Sequence, residues 1–133
     1  MTGAERAVAA ARGAVGTRFR LQGRDPAYGL DCVGLAALAM RAAGFSWVVP
    51  ADYALRGGNA AVLAARLDAS GLVRGDAPRP GDLALFACDA TQFHMAVIVP
   101  GGIVHADAGL RRVVERPGVP PWPMLGCWRV IGD

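Results

Sequence analysis

Three residues of this chain have the chemistry of a nucleophile and its base: Cys32, His94 and His105. Cys32 stands in Tyr28-Gly29-Leu30-Asp31-Cys32-Val33-Gly34-Leu35, where a glycine-containing loop turns into an apolar helix. The thiolate is the reactive form of cysteine, and at an ordinary pKa near 8.5 only about 3% is ionised at pH 7. The partial positive charge of a helix N-terminus raises that share, as does a neighbouring imidazolium. The backbone of the same turn also has N–H groups to offer an oxyanion. His94 opens the apolar run Met95-Ala96-Val97-Ile98-Val99, and a strand end holds a ring rigidly at a cleft, where it can act as general base. His105 follows 11 positions later, beyond the turn Pro100-Gly101-Gly102. Antiparallel pairing about that turn brings the two histidines near each other, so that His105 can hold the second ring nitrogen of His94 and fix its tautomer. They are the only two histidines of the chain.

The other chemistry-bearing residues read as structural. Asp31 serves as N-cap of the helix, as a carboxylate at the site, or as both. Cys88 and Cys127 have no histidine close in sequence and read as core residues. Trp122, among prolines, and Trp128, in the last predicted strand, read as packing residues rather than ligand platforms. Gly101-Gly102 is a turn and not a phosphate loop, because no helix or Lys-Ser/Thr follows it.

The elements that must position these groups follow from periodicity and punctuation. Residues 4 to 14 form a short Ala-rich helix, and 16 to 30 a loop rich in Gly and Arg. Residues 32 to 43 form the strongest helix, apolar on most sides and stopped by Gly44, which implies burial. Residues 50 to 58 are a connector, and Asn59 caps a third helix that runs through Ala69 and ends at Gly71. From Pro78 the texture changes to short strands joined by Gly turns, at 83 to 87, 93 to 99, 103 to 106, 112 to 116 and 127 to 131. Helices first and an antiparallel meander of about five strands second is an α+β arrangement. With 133 residues, no repeat and no linker, residues 1 to 133 form one domain.

Bulk numbers exclude several function classes. All 14 basic residues are arginine, they are scattered, and the net charge is only +3. No basic stripe marks a nucleic-acid site, although a weak attraction to an anionic polymer such as cell wall remains. Three cysteines without CxxC or metal-type spacing point to no metal and no disulfide scaffold, and no cofactor motif appears. No membrane-span stretch and no secretory signal are present, so synthesis in the cytoplasm is expected, with another carrier to any external substrate.

Several motifs together resemble one family. Asp31-Cys32-Val33-Gly34-Leu35 resembles the Asp-Cys-Ser-Gly-Leu signature of the NlpC-type cell-wall cysteine peptidases. Pro80-Gly81-Asp82-Leu83 resembles the stretch that opens their sheet, His94-Met95-Ala96-Val97 their histidine strand, and Ile103-Val104-His105-Ala106 the strand with their third polar residue. The motifs come in family order, between about residues 5 and 131. The segment from Gly16 to Pro26 is similar to a branch encoded among tail genes of phages and gene transfer agents.

The resemblance implies a papain-like fold, with Cys32 as nucleophile, His94 as base and His105 as orienting residue. It implies hydrolysis of an amide in the peptide stem of peptidoglycan, typically γ-D-glutamyl to diamino acid. Asp31 and Phe19 would line the substrate cleft. Tail-tip proteins would be partners, and the site of action would be the periplasm or cell wall, reached on a tail particle. Val33 stands where the family often has Ser, and Phe19 where it often has Tyr, so two hydrogen-bonding groups are missing from the substrate side. An amidase or acyltransferase on the same triad, and a non-catalytic tail protein, are the alternative readings.

Overall fold

The computed structural model describes residues 1 to 47 and 58 to 131. Three helices precede most of the sheet: α1 (Gly3–Gly13), α2 (Cys32–Ala42) and α3 (Ala60–Asp68). Thr2 and Glu5 form a capping box on α1, and Asn59 Oδ1 accepts from the Ala61 and Val62 amides at the start of α3. Of the connector expected over 50 to 58, residues 50 to 57 lie outside the described residues.

The strands are β1 (Arg24–Asp25), β2 (Gly29–Leu30), β3 (Val73–Arg74), β4 (Leu83–Ala87), β5 (Phe93–Val99), β6 (Gly102–Asp107), β7 (Arg112–Pro117) and β8 (Met124–Arg129). They form a two-stranded sheet, β1-β2, and a six-stranded antiparallel sheet in the order β3-β8-β4-β5-β6-β7. The α+β expectation holds, with helices on one face of an antiparallel sheet. The sheet gains a short sixth strand, because Val73 and Arg74 pair with Arg129 and Trp128. The expected loop over 16 to 30 contains the β1-β2 hairpin. The last strand begins earlier than expected, at Met124, since the register with β4 shifts between Leu85 and Phe86 and takes in the residues after Pro123.

Alternation decides the two faces of the sheet. Leu83, Leu85, Met95, Val97, Val99, Val104 and Ala106 face the helices and join Leu30, Leu35, Ala39 and Met40 in the main core. Ala84, Phe86, Ala96 and Ile103 face the other way and form a smaller cluster, against which Trp122 packs.

One break in the sheet positions the site. Ile98 N–H donates to the Asp82 carbonyl on the β4 side, so the even-numbered residues of β5 bond toward β4 and the odd-numbered ones toward β6. The β5-β6 ladder contains only Val97–Val104, Ile98–Ile103 and Val99–Gly102. Beyond Val97, the residues from His94 to Ala96 stay paired to β4, while those from His105 to Asp107 stay paired to β7. The sheet therefore forks, and Met95 is the first odd-numbered residue whose amide meets no β6 partner.

α2 approaches the fork through glycines. A methyl on Gly34, in the first turn of α2, would meet the Gly23 backbone carbonyl. Alanine gains about 1 kcal/mol of helix propensity over glycine, but a clash with fixed backbone costs more, so Gly34→Ala is expected to destabilise the protein by about 2 kcal/mol. Gly13 has open space around its missing Cβ, so Gly13→Ala should be neutral or stabilising. Urea denaturation of the two variants checks both signs.

Candidate active site

Cys32 is the first residue of α2 and Asp31 is its N-cap. The Asp31 carboxylate is fully engaged. Oδ1 accepts from the Gly34 amide (2.8 Å) and from Arg24 Nη1 (2.7 Å), and Oδ2 accepts from the Gln22 amide (3.0 Å). Gln22 reaches it from a left-handed conformation, φ 60°, at the turn before β1. Arg24 Nη1 also donates to the Gly23 carbonyl, while its buried Nε has no partner among the described residues. The cap reading of Asp31 is therefore sufficient to explain its position. Any substrate amine would meet a carboxylate already paired with a guanidinium.

The Cys32 thiol is 7% exposed and is pushed up to about 12. Burial is the main cause, since it penalises the thiolate. The Met95 amide in the fork, the Arg24 charge and the cysteine's own N–H favour the anion, and the Asp31 charge opposes it. The helix N-terminus was expected to lower the thiol pKa; in the free protein desolvation outweighs it. Among the described residues no hydrogen bond joins Cys32 to His94.

The two histidines lie on the face opposite the main core, on either side of the fork. His94 pairs with Phe86 across β4-β5, and His105 pairs with Val114 across β6-β7. Their side chains close the gap the backbone leaves open: His94 Nε2 and His105 Nδ1 are 2.9 Å apart. One of the two nitrogens donates and the other accepts. Nδ1 of His94 has no protein partner among the described residues. His94 is pushed down to about 4, first by burial, then by neighbouring His105, with Asp107 opposing. His105, 3% exposed, is also lowered by burial, with Asp107 opposing and Arg116 assisting. Both rings are therefore neutral at pH 7.

A third ring completes this cluster. Trp122, between β7 and β8, sits edge-to-face on both histidines, with centroids 5.5 Å from His94 and 5.8 Å from His105. Its reading as a packing residue holds, but it packs on the histidines. Nothing in its sequence neighbourhood indicated this, because the contact depends on how the loop after β7 returns across the sheet. Phe19, by contrast, is half-buried against the main core and held by an isolated bridge to Leu30. Cys127 is buried, and Cys88 is half-buried just past β4. Trp128 is fully buried and donates to Asp68 Oδ1 (2.9 Å). Among the described residues no group of three or more metal-ligating side chains occurs, and no helix is long and apolar enough to cross a membrane.

The depressed His94 pKa has a consequence for stability. In the unfolded chain the ring takes up a proton near pH 6.5, and in the folded protein only near 4. Its contribution is therefore present above pH 6.5 and is lost as the pH falls toward 4. Melting temperature is expected to drop across that window by the equivalent of roughly 2–3 kcal/mol. His94→Gln should flatten the dependence, which thermal scans from pH 7 to 4 would read.

No family model matches the chain, and no curated protein sequence matches it. Solved structures do. NlpC1 from Trichomonas vaginalis superimposes with a TM-score of 0.69 at 22% identity over 96% of this chain. This chain spans only 44% of NlpC1. The peptidoglycan hydrolase RipB from Mycobacterium tuberculosis gives 0.62 at 19% identity, covering 98% of this chain and 66% of RipB. RipD from the same organism, a non-catalytic NlpC/p60 domain protein adapted to peptidoglycan binding, gives 0.60 at 17% identity over 98% of both chains. Hydrolysing and non-hydrolysing proteins thus share one backbone, and the chain has the α+β fold of the NlpC/p60 domains.

Proposed function

We propose that the protein is a cysteine hydrolase that cleaves an amide in the peptide stem of peptidoglycan, with Cys32 as nucleophile, His94 as base and His105 as the residue that orients it. The observation that carries this reading is the 2.9 Å contact between His94 Nε2 and His105 Nδ1. It occupies one nitrogen of His94 and leaves Nδ1 available as a base, next to Met95, whose amide acts on the Cys32 thiol.

In this mechanism His94 Nδ1 takes the thiol proton as sulfur attacks the amide carbon. The Cys32 N–H, which has no intrahelical partner at the first position of α2, helps to hold the oxyanion. The tetrahedral intermediate collapses, the C–N bond breaks and the imidazolium returns its proton to the leaving amine. Water, deprotonated by the same ring, then releases the thioester as a carboxylate and restores the thiol. The bond from γ-D-glutamyl to diamino acid is the proposed target, on the strength of the motif resemblance. The similarity of the segment from Gly16 to Pro26 to tail-encoded peptidases supports delivery on a phage-like tail with tail-tip proteins as partners.

RipD, which shares the fold without catalysis, makes wall binding alone the second reading. Mass spectrometry of muropeptides from purified sacculi separates the two. Products cut within the peptide stem are expected. Release of intact stems would indicate cleavage at the lactoyl amide instead, and binding without any release would sink the hydrolase reading.

A further inference from the structure

Resting on the reading just given, we infer that Trp122 is a positioning residue whose indole holds the His94 and His105 rings in the arrangement that keeps Nε2 against Nδ1. The backbone cannot do this, because the β5-β6 ladder ends at Val97 and Val104, short of both histidines. The contact across the fork depends on two side chains, each with rotatable bonds.

Three rings restrain one another there. His94 and His105 are 5.1 Å apart at 84°, and the indole meets them at 74° and 72°. Turning either imidazole out of the hydrogen bond would drive it into the indole or away from it. Phe86 packs on the indole at 5.8 Å, and the Arg116 guanidinium lies 5.8 Å from its centroid.

The indole is itself fixed. Its loop is Gly118-Val119-Pro120-Pro121-Trp122-Pro123, and three prolines restrict the backbone dihedrals around it. Gly118 N–H donates to the Gly101 carbonyl at one end, and Ala87 N–H donates to the Pro123 carbonyl at the other. These bonds tie the loop to the β5-β6 turn and to the end of β4. Besides each other, the charged and titratable groups that bear on the rings are Asp107 on β6 and Arg116 on β7.

Nitrogen-15 spectra of the histidine rings test this without turnover. They would be recorded in a Cys32→Ala background with Trp122, Trp122→Phe, Trp122→Leu and Trp122→Ala. Trp122 and Phe should keep the hydrogen-bonded tautomers and a depressed His94 midpoint. Leu and Ala should lose the Nε2–Nδ1 bond and its fixed tautomers, and Ala, which also uncovers the rings, should let the His94 midpoint rise toward 6.5. If alanine does not fold, the leucine variant decides, because it keeps apolar bulk without a ring face. With Cys32 present, kcat on a stem peptide should fall about 30- to 100-fold in the leucine variant with KM unchanged, and Phe should recover most of the loss. Unchanged tautomers in the leucine variant would overturn the inference while leaving the hydrolase reading intact. Failure of the wild type to digest sacculi would remove the hydrolase reading and leave the ring spectra interpretable.

Discussion

Cys32→Ala is expected to reduce muropeptide release from sacculi by a factor of about 10⁵ or more, because no other group of the proposed triad can form the acyl intermediate. Binding to sacculi should persist, since the alanine fits the buried space at the head of α2 and Asp31 keeps its cap. His94→Ala should cost a similar factor, and the double variant should be no worse than either single one. That non-additivity is the signature of residues acting as a unit. Activity within tenfold of wild type in Cys32→Ala would mean that another group attacks the bond. Cys88 and Cys127, the remaining free thiols, would then be examined in turn.

The second large effect concerns the free protein. Alkylation of Cys32 by iodoacetamide should be about 10³-fold slower at pH 7 than that of an ordinary exposed thiol, given the push to about 12. The rate should climb about tenfold per pH unit through pH 7 to 9, in proportion to thiolate. His94→Ala should leave that profile in place, because the ring is neutral above pH 5 and stabilises no thiolate in the resting state. The same raised pKa means that stability from the protonated thiol is present below pH 9 and is lost as the pH rises toward 12. Peptide mapping after timed alkylation distinguishes Cys32 from the other two cysteines. A rate that is flat from pH 5 to 8 would establish a preformed thiolate–imidazolium pair and overturn this account. The proposed chemistry then couples proton transfer to attack, once substrate has closed over the sulfur.

How much of this was legible in the sequence varies with the range of the interaction. α2 was readable because its apolar residues and the stop at Gly44 are local signals, and the helix runs over Cys32–Ala42. β5 was readable because it is one apolar run ending at Pro100. The meeting of His94 and His105 followed from a single turn between adjacent strands, and it occurs. Trp122 could not be read in the same way. Its partners lie on β4, β5 and β6, and only the path of a loop brings the indole back to them. The Arg24–Asp31 pair was hidden for a similar reason, since it needs the β1-β2 hairpin inside what looked like a loop. The thiol pKa was misjudged because a helix terminus is visible in sequence, whereas the burial that outweighs it is a property of the assembled core.

In the proposed mechanism, the fork between β5 and β6 also makes strand register a determinant of activity. Had the ladder continued, Met95 would donate to a β6 carbonyl, and His94 and His105 would be spaced by the backbone instead of by their rings. Such a protein would keep its core, its helices and every side chain named above, yet the Met95 amide would be taken up by the ladder instead of facing Cys32. A design that borrows this scaffold for the proposed chemistry must therefore copy the missing rungs as faithfully as the residues, because the pairing of the two histidines depends on hydrogen bonds that the sheet leaves unmade.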